Sequence, residues 1–196
     1  MNDDAVYAAH RRGPRTFTDP ILFFGSYIVI ALLAIYGAPS DLADIPGPLR
    51  GFGESLQTLI PSIRAVSALT SFGPEAWLTA VLLWALVPVY VAFGFRLPGL
   101  FVPDMPRLRT MPWVLPVAIV ALALIAFAMT RFEVSPDDLG RRTPHERALS
   151  FATASRITFA IAGGLVCGGV ALCLRVIAGI VSIAPRVLRK NQKRRE

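Results

Sequence analysis

PILFFGSYIVIALLAIYGAPS, residues Pro20–Ser40, runs for 21 positions without a charged side chain. A helix rises about 1.5 Å per residue, and a hydrocarbon core of roughly 30 Å needs about 20 apolar residues, with a range near 17–25. The pattern returns at Ala76–Phe95, Thr110–Thr130 and Ile157–Leu174, uncharged stretches of 20, 21 and 18 residues. The expected fold class is therefore all-α: a polytopic membrane protein with four transmembrane helices. Spans are expected near 20–38, 75–95, 112–130 and 157–177, within one membrane domain covering residues 1–196.

Composition agrees. Hydrophobic residues form 54% of the chain and charged residues only 17%, against roughly 25% charged in a soluble domain. Four spans and their connections use nearly all of the 196 residues, leaving no length for a separate soluble domain. The first apolar run is too long for the core of a secretory signal, and Pro39-Ser40-Asp41 follows it instead of a small-residue cleavage site. It reads as a retained span.

The net charge of +7 is concentrated at one end. Arg186, Arg189, Lys190, Lys193, Arg194 and Arg195 form a basic tail over residues 186–196. Directly after a span, such a tail faces anionic lipid headgroups, each residue contributing about 1 kcal/mol near the surface. Nucleic acid is not an expected partner. Only two of the 20 basic residues are lysine, a bias that points to a GC-rich, bacterial genome.

Lysine and arginine in the connections set the orientation. The N-terminal segment (Arg11, Arg12, Arg15), the second connection (Arg96, Arg107, Arg109) and the tail hold 12 basic residues, against seven in the first and third connections. That asymmetry puts both termini in the cytoplasm and the chain in the cell inner membrane.

Helix starts are marked by caps and first-turn prolines. Thr18-Asp19-Pro20 opens span one, Gly73-Pro74-Glu75 opens span two, and Pro112 opens span three. Glu75 faces the positive end of its helix dipole. Ser135-Pro136-Asp137-Asp138 starts a short turn that Gly140 stops, and Thr143-Pro144-His145-Glu146 has capping-box form. The fourth helix is therefore expected to begin near Pro144 and continue to Ala184.

In the first connection Leu56, Leu59, Ile60, Ile63 and Val66 recur at three- and four-residue spacing, with Gln57, Ser62, Arg64 and Ser67 mostly opposite. This predicts an extracytoplasmic amphipathic helix near 54–70, interrupted at Pro61, lying on the membrane surface or packed on a protein neighbour.

Span four carries the densest set of candidate contacts. Ala160, Gly164 and Gly168 recur every four residues, with Gly163, Cys167 and Ala171 in an adjacent row. Small residues at this spacing let helix backbones approach closely, so a packing face is expected toward another span or a second subunit. Arg175 interrupts the apolar segment; it either snorkels to the inner interface and lipid phosphate or makes a buried contact. Pro88 predicts a kink in span two. Trp77, Trp113, Tyr36 and Tyr90 read as interfacial belt residues, and Trp84 as packed or lipid-facing. Cys167 and Cys173 lie on different helix faces, too far apart for a disulfide, and read as packing residues.

No catalytic constellation, cofactor fingerprint or metal set is found. His10 and His145 are the only histidines, and His145-Glu146 lacks the second histidine of a zinc helix. The expected role is a non-catalytic membrane subunit with a structural, assembly or interaction function in a larger complex. It would contact the bilayer and other membrane subunits, or a second copy through span four. The alternative is a small oligomeric channel or transporter component with Arg175 and the Pro88 kink in its path; a membrane enzyme acting at the outer loop is a remote third.

Overall fold

In the computed structural model residues 18–97, 114–130 and 150–192 are described, and every element among them is helical. In chain order these are α1 (Thr18–Gly37), a 3-10 turn (Leu42–Asp44), α2 (Gly47–Leu59), α3 (Ser62–Ala68), α4 (Gly73–Gly94), α5 (Val114–Thr130) and α6 (Arg156–Gln192). Among the described residues three helical segments are long and apolar enough to cross a membrane: Thr18–Gly37, Gly73–Gly94 and Arg156–Gly179. The chain is thus compatible with a multi-pass membrane protein. α5 is shorter, at 17 residues.

While α6 is the one that packs against α1, α4 and α5 alike, helix α4 is the most buried of the three membrane-length helices. Of its most apolar window 56% is buried, against 22% for α1 and 39% for α6. Every residue from Glu75 to Val81 is buried. On α1 the buried positions are Asp19, Phe23, Tyr27, Ala31 and Ile35, one i, i+4 row along one face. The opposite face, including Leu22, Val29 and Leu33, is exposed.

Contacts between helices give their directions. Gly164 of α6 lies against Ile28 of α1, and Gly168 lies against Phe24, so the two helices are antiparallel. Between α4 and α6, Arg156 reaches Glu75 and Arg175 reaches Gly94; both contacts join residues 81 apart in sequence. An equal offset at both ends means that α4 and α6 run parallel and in register. The two contacts stand about 28 Å apart along the axes.

α4 passes through Pro88 without interruption. Proline lacks the amide proton that would bond the carbonyl four residues back, and its ring crowds that turn. One residue before that freed carbonyl, the Leu83 carbonyl accepts a 3.0 Å hydrogen bond from the Tyr27 hydroxyl of α1. A neighbouring helix therefore supplies a donor where the proline loosens the ladder.

Several boundaries differ from the expectation. α6 begins at Arg156, not near Pro144: residues 150–153 are helical, but the helix breaks at Ala154-Ser155. A reciprocal cap explains the restart. The Thr158 amide donates to Ser155 Oγ (3.2 Å), and the Ser155 amide donates to Thr158 Oγ1 (3.1 Å). Thr158 takes the part usually filled by glutamate, which hides the cap from a motif search. α6 also runs through Pro185 to Gln192 instead of stopping at Ala184; leucine, arginine and lysine, all good helix formers, follow that proline. The expected Pro112 start, the turn near Gly140, the Thr143–Glu146 cap and Trp113 lie outside the described residues.

In the first connection α2 and α3 lie on either side of Pro61, where the interruption was expected. α2 starts earlier, at Gly47, because Pro48 fits the first turn of a helix, where no amide donor is required. Gly51 and Gly53 both lie inside this helix.

Candidate functional site

The interlocked faces of α1, α4 and α6 hold the residues singled out in the sequence. Ala160, Gly168 and Ala171 are buried, as is Gly164, while Gly163 is half-buried. A methyl group on Gly164 would stand 3.0–3.2 Å from the side chain and backbone of Ile28. On Gly168 it would meet the Phe24 ring at 2.9–3.0 Å, and on Gly163 the end of Leu83 at 3.0 Å. The small-residue rows of α6 thus face α1 and α4 of the same chain. Close approach gains dispersion contacts, which drive helix association where lipid removes the hydrophobic incentive. Gly169 points elsewhere, with nothing within 4 Å of the equivalent position.

At one end of the bundle, Arg156 and Glu75 form an ion pair. Arg156 Nη2 donates to Glu75 Oε1 at 2.6 Å; the glutamate side chain is 6% exposed and the arginine 45%. The same guanidinium lies 5.9 Å from the Phe72 ring centroid, and Phe72 meets Phe159 edge-on at 5.9 Å. Charge, quadrupole and ring packing converge there. Sequence reasoning assigned Glu75 to the helix dipole and counted Arg156 only as a loop charge. Glu75 is the third residue of α4 and Arg156 the first of α6, and with the fourth helix expected to begin near Pro144 the sequence did not bring the two helix starts together.

At the other end Arg175 is half-buried. Its Nε donates to the Gly94 carbonyl at 3.0 Å, and its guanidinium lies 5.6 Å from the Phe95 centroid. Arg175 therefore satisfies a carbonyl in the last turn of α4, where a cation also meets the negative end of the dipole. Gly94 makes this possible: a methyl group there would stand 3.3 Å from the Arg175 stem and 3.5 Å from Phe23.

Between the ends lies an aromatic and hydroxyl cluster. The Tyr27 and Tyr90 rings are 3.8 Å apart, and Tyr90 and Phe23 meet edge-on at 5.4 Å. The Tyr90 hydroxyl donates to Ser26 Oγ (2.9 Å), which donates to the Phe23 carbonyl (3.0 Å). Cys167 is buried and Cys173 half-buried; both are free thiols.

Two of the expected belt residues belong to the core. Tyr90 is 6% exposed and Trp77 is 7% exposed. Tyr90 is buried because its hydroxyl has a partner on α1; Trp77 is buried because α2 lies over it. Trp84 is buried too, whereas Tyr36 is exposed. The Trp77 ring fills the place where Gly53 would carry a side chain, and Trp77 Nε1 donates to Gln57 Oε1 at 3.1 Å. Gly53→Ala is accordingly expected to lift α2 from α4, at a cost of about 1–3 kcal/mol for overpacking. A red shift in tryptophan emission and faster amide exchange across 47–59 would report it; wild-type exchange in that segment would contradict the contact.

The basic tail is divided. Arg186, Arg189 and Lys190 lie on the last turns of α6, and Lys193, Arg194 and Arg195 lie outside the described residues.

What this arrangement does chemically is hold helices together: its polar contacts end on a carbonyl, on a hydroxyl or on an opposite charge. No protein-family model matches the chain, and no curated protein and no solved structure matches it at the significance required.

Proposed function

We propose that the chain is a four-span, non-catalytic subunit of a larger membrane complex, with both termini cytoplasmic in a bacterial inner membrane. The parallel register of α4 and α6 supports four spans. Two helices that cross a bilayer in the same direction need a return crossing between them, and α5 is the described helix in that interval. At 17 residues it covers about 25 Å, within the tolerated range for a span.

The observation that carries the subunit reading is the bareness of α5. Ala126 is its one buried residue among the described side chains, while Val117, Val120, Leu124 and Phe127 are 56, 56, 61 and 59% exposed. The glycine face and the core hydroxyls already serve the α1–α4–α6 core. α5 thus presents exposed apolar side chains, Val117, Val120 and Leu124 among them, on which another subunit can pack. A second feature is the length of α6: 37 residues extend about 55 Å, against a core of roughly 30 Å. The far stretch of this helix, which includes Arg186, Arg189 and Lys190, lies beyond the length that a hydrocarbon core takes up, and we assign it to the cytoplasmic side. The channel alternative draws less support, since Arg175 is engaged with Gly94 and Phe95 and a neighbouring helix attends the Pro88 turn.

A photo-crosslinking residue at Leu124 tests the proposal in intact membranes. The expected result is one or a few discrete protein adducts, with none from the same probe at Ala126. Lipid adducts alone from position 124, together with recovery of the chain free of stoichiometric partners in mild detergent, would overturn it.

A further inference from the structure

α2 has two apolar edges, and only one of them is used by the bundle. Leu49, Gly53 and Leu56 form a stripe roughly 60° wide at 100° per residue, and it faces the core: Gly53 is buried under Trp77, and Leu49 and Leu56 pack against buried residues. Phe52 and Leu59 stand roughly 80° to one side of that stripe and roughly 20° from each other. They are 49% and 69% exposed.

On the other side are Gln57, bonded to Trp77, then Arg50 and Glu54, an i, i+4 ion pair at 3.1 Å with side chains 52% and 53% exposed. The helix thus divides into three strips: one toward protein, one polar, one apolar and uncovered. Ser55 borders the uncovered strip, and its hydroxyl donates to the Gly51 carbonyl at 2.9 Å, leaving it less dependent on water.

Depth is fixed by the contact with Trp77. That residue lies about 6 Å along α4 from its first residue, so α2 is held beside the opening turns of a membrane-length helix. Other exposed apolar groups share this end. Tyr36, 59% exposed, ends the antiparallel α1, and Phe151, 66% exposed, lies five residues before Arg156, the partner of Glu75.

We infer that the Phe52–Leu59 edge of α2 enters the lipid leaflet at the Glu75 end of the bundle, at the boundary between headgroups and acyl chains. The occupant is phospholipid, with Arg50 and Glu54 on the opposite side in water. An interfacial helix with one polar and one apolar strip has this disposition, and its binding scales with the apolar area it buries. This assigns the membrane contact to a different strip from the one most evident in the sequence. Leu56, a member of that expected stripe, belongs to the protein core, and Leu59 belongs to the lipid edge. The inference rests on the membrane-spanning reading of α1, α4 and α6, and it stands apart from the identity of any partner subunit.

Spin labels on single cysteines, in a Cys167→Ala, Cys173→Ala background reconstituted into phosphatidylglycerol–phosphatidylethanolamine vesicles, test it. Phe52→Cys and Leu59→Cys are expected to give severalfold higher ratios of oxygen to nickel-chelate collision than Gly51→Cys and Thr58→Cys. Gly51 has nothing within 4 Å of its side-chain position, so a label fits there. Leu33→Cys, at a position 70% exposed on α1, is the control for the spanning reading. A lipid signal at 33 with a water signal at 52 and 59 overturns the inference alone. A water signal at 33 overturns the reading beneath it. Labels at 52 and 59 that are immobile and shielded from both colliders overturn it in favour of a protein partner. Quenching of an added Phe52→Trp by brominated lipid, compared with the wild-type chain, gives the same answer with both cysteines kept.

Discussion

Gly164→Leu is expected to separate α1 from α6 and lower the unfolding midpoint in mild detergent more than any other single change on the glycine face. A methyl group there already meets the Ile28 Cα at 3.1 Å and its amide nitrogen at 3.2 Å. Backbone atoms do not rotate away, so the whole of α1 must retreat, with loss of dispersion contacts along Phe24, Tyr27 and Ile28. Even alanine there is expected to cost about 1–3 kcal/mol as an overpacked contact, and leucine more. Gly168→Ala should be milder, since its obstacle is the edge of the Phe24 ring, which can turn. Gly169→Ala should be neutral or slightly stabilising, because it meets nothing within 4 Å and removes a flexible glycine from a helix. Equal midpoints for Gly164→Leu and Gly169→Leu would refute the close approach of α1 and α6.

Arg156→Glu is expected to cost about as much, through electrostatics. It replaces the cation on a nearly buried Glu75 with a second carboxylate and strips the Phe72 ring of its charged neighbour. Removing one partner from a buried pair costs roughly 3–5 kcal/mol; with Arg156 45% exposed, solvent screening brings the expected loss to about 2–3 kcal/mol. Glu75→Gln should cost less, because it leaves no buried anion. The exchange Glu75→Arg with Arg156→Glu should recover only part of the loss, since position 75 lies in the first turn of α4, where the dipole favours a carboxylate. Thermal unfolding of the four variants checks the order, and full recovery by the exchange would show that the dipole plays no part.

The two variants mark what was legible in the sequence. Uncharged length identified three membrane-length helices, because a bilayer imposes a length and a polarity that no tertiary contact can override. The small-residue rows of span four were legible for a similar reason: four-residue spacing is a property of one helix. Their neighbour was not, because the meeting of Gly164 with Ile28 depends on how two distant helices are placed. The same limit hid the Glu75–Arg156 pair, the donor from Tyr27 and the burial of Tyr90. Each is a long-range contact made by a residue whose local reading, as dipole partner or belt aromatic, was complete without it. Local errors had local causes. The Ser155–Thr158 cap uses threonine in place of glutamate, so the restart of the helix at Arg156 carries no capping-box signature.

The matched spacing between α4 and α6 also sets an order of manufacture. The carboxylate of Glu75 is made 81 residues before the guanidinium that neutralises it, and the carbonyl of Gly94 waits the same interval for Arg175. A ribosome emits the chain from its N-terminus, so α1, α4 and α5 are made while the acidic group in the first turn of α4 has not yet met Arg156. Completion of α6 discharges both debts at once. A chain cut short before residue 156 therefore holds Glu75 without the guanidinium that neutralises it in the finished fold.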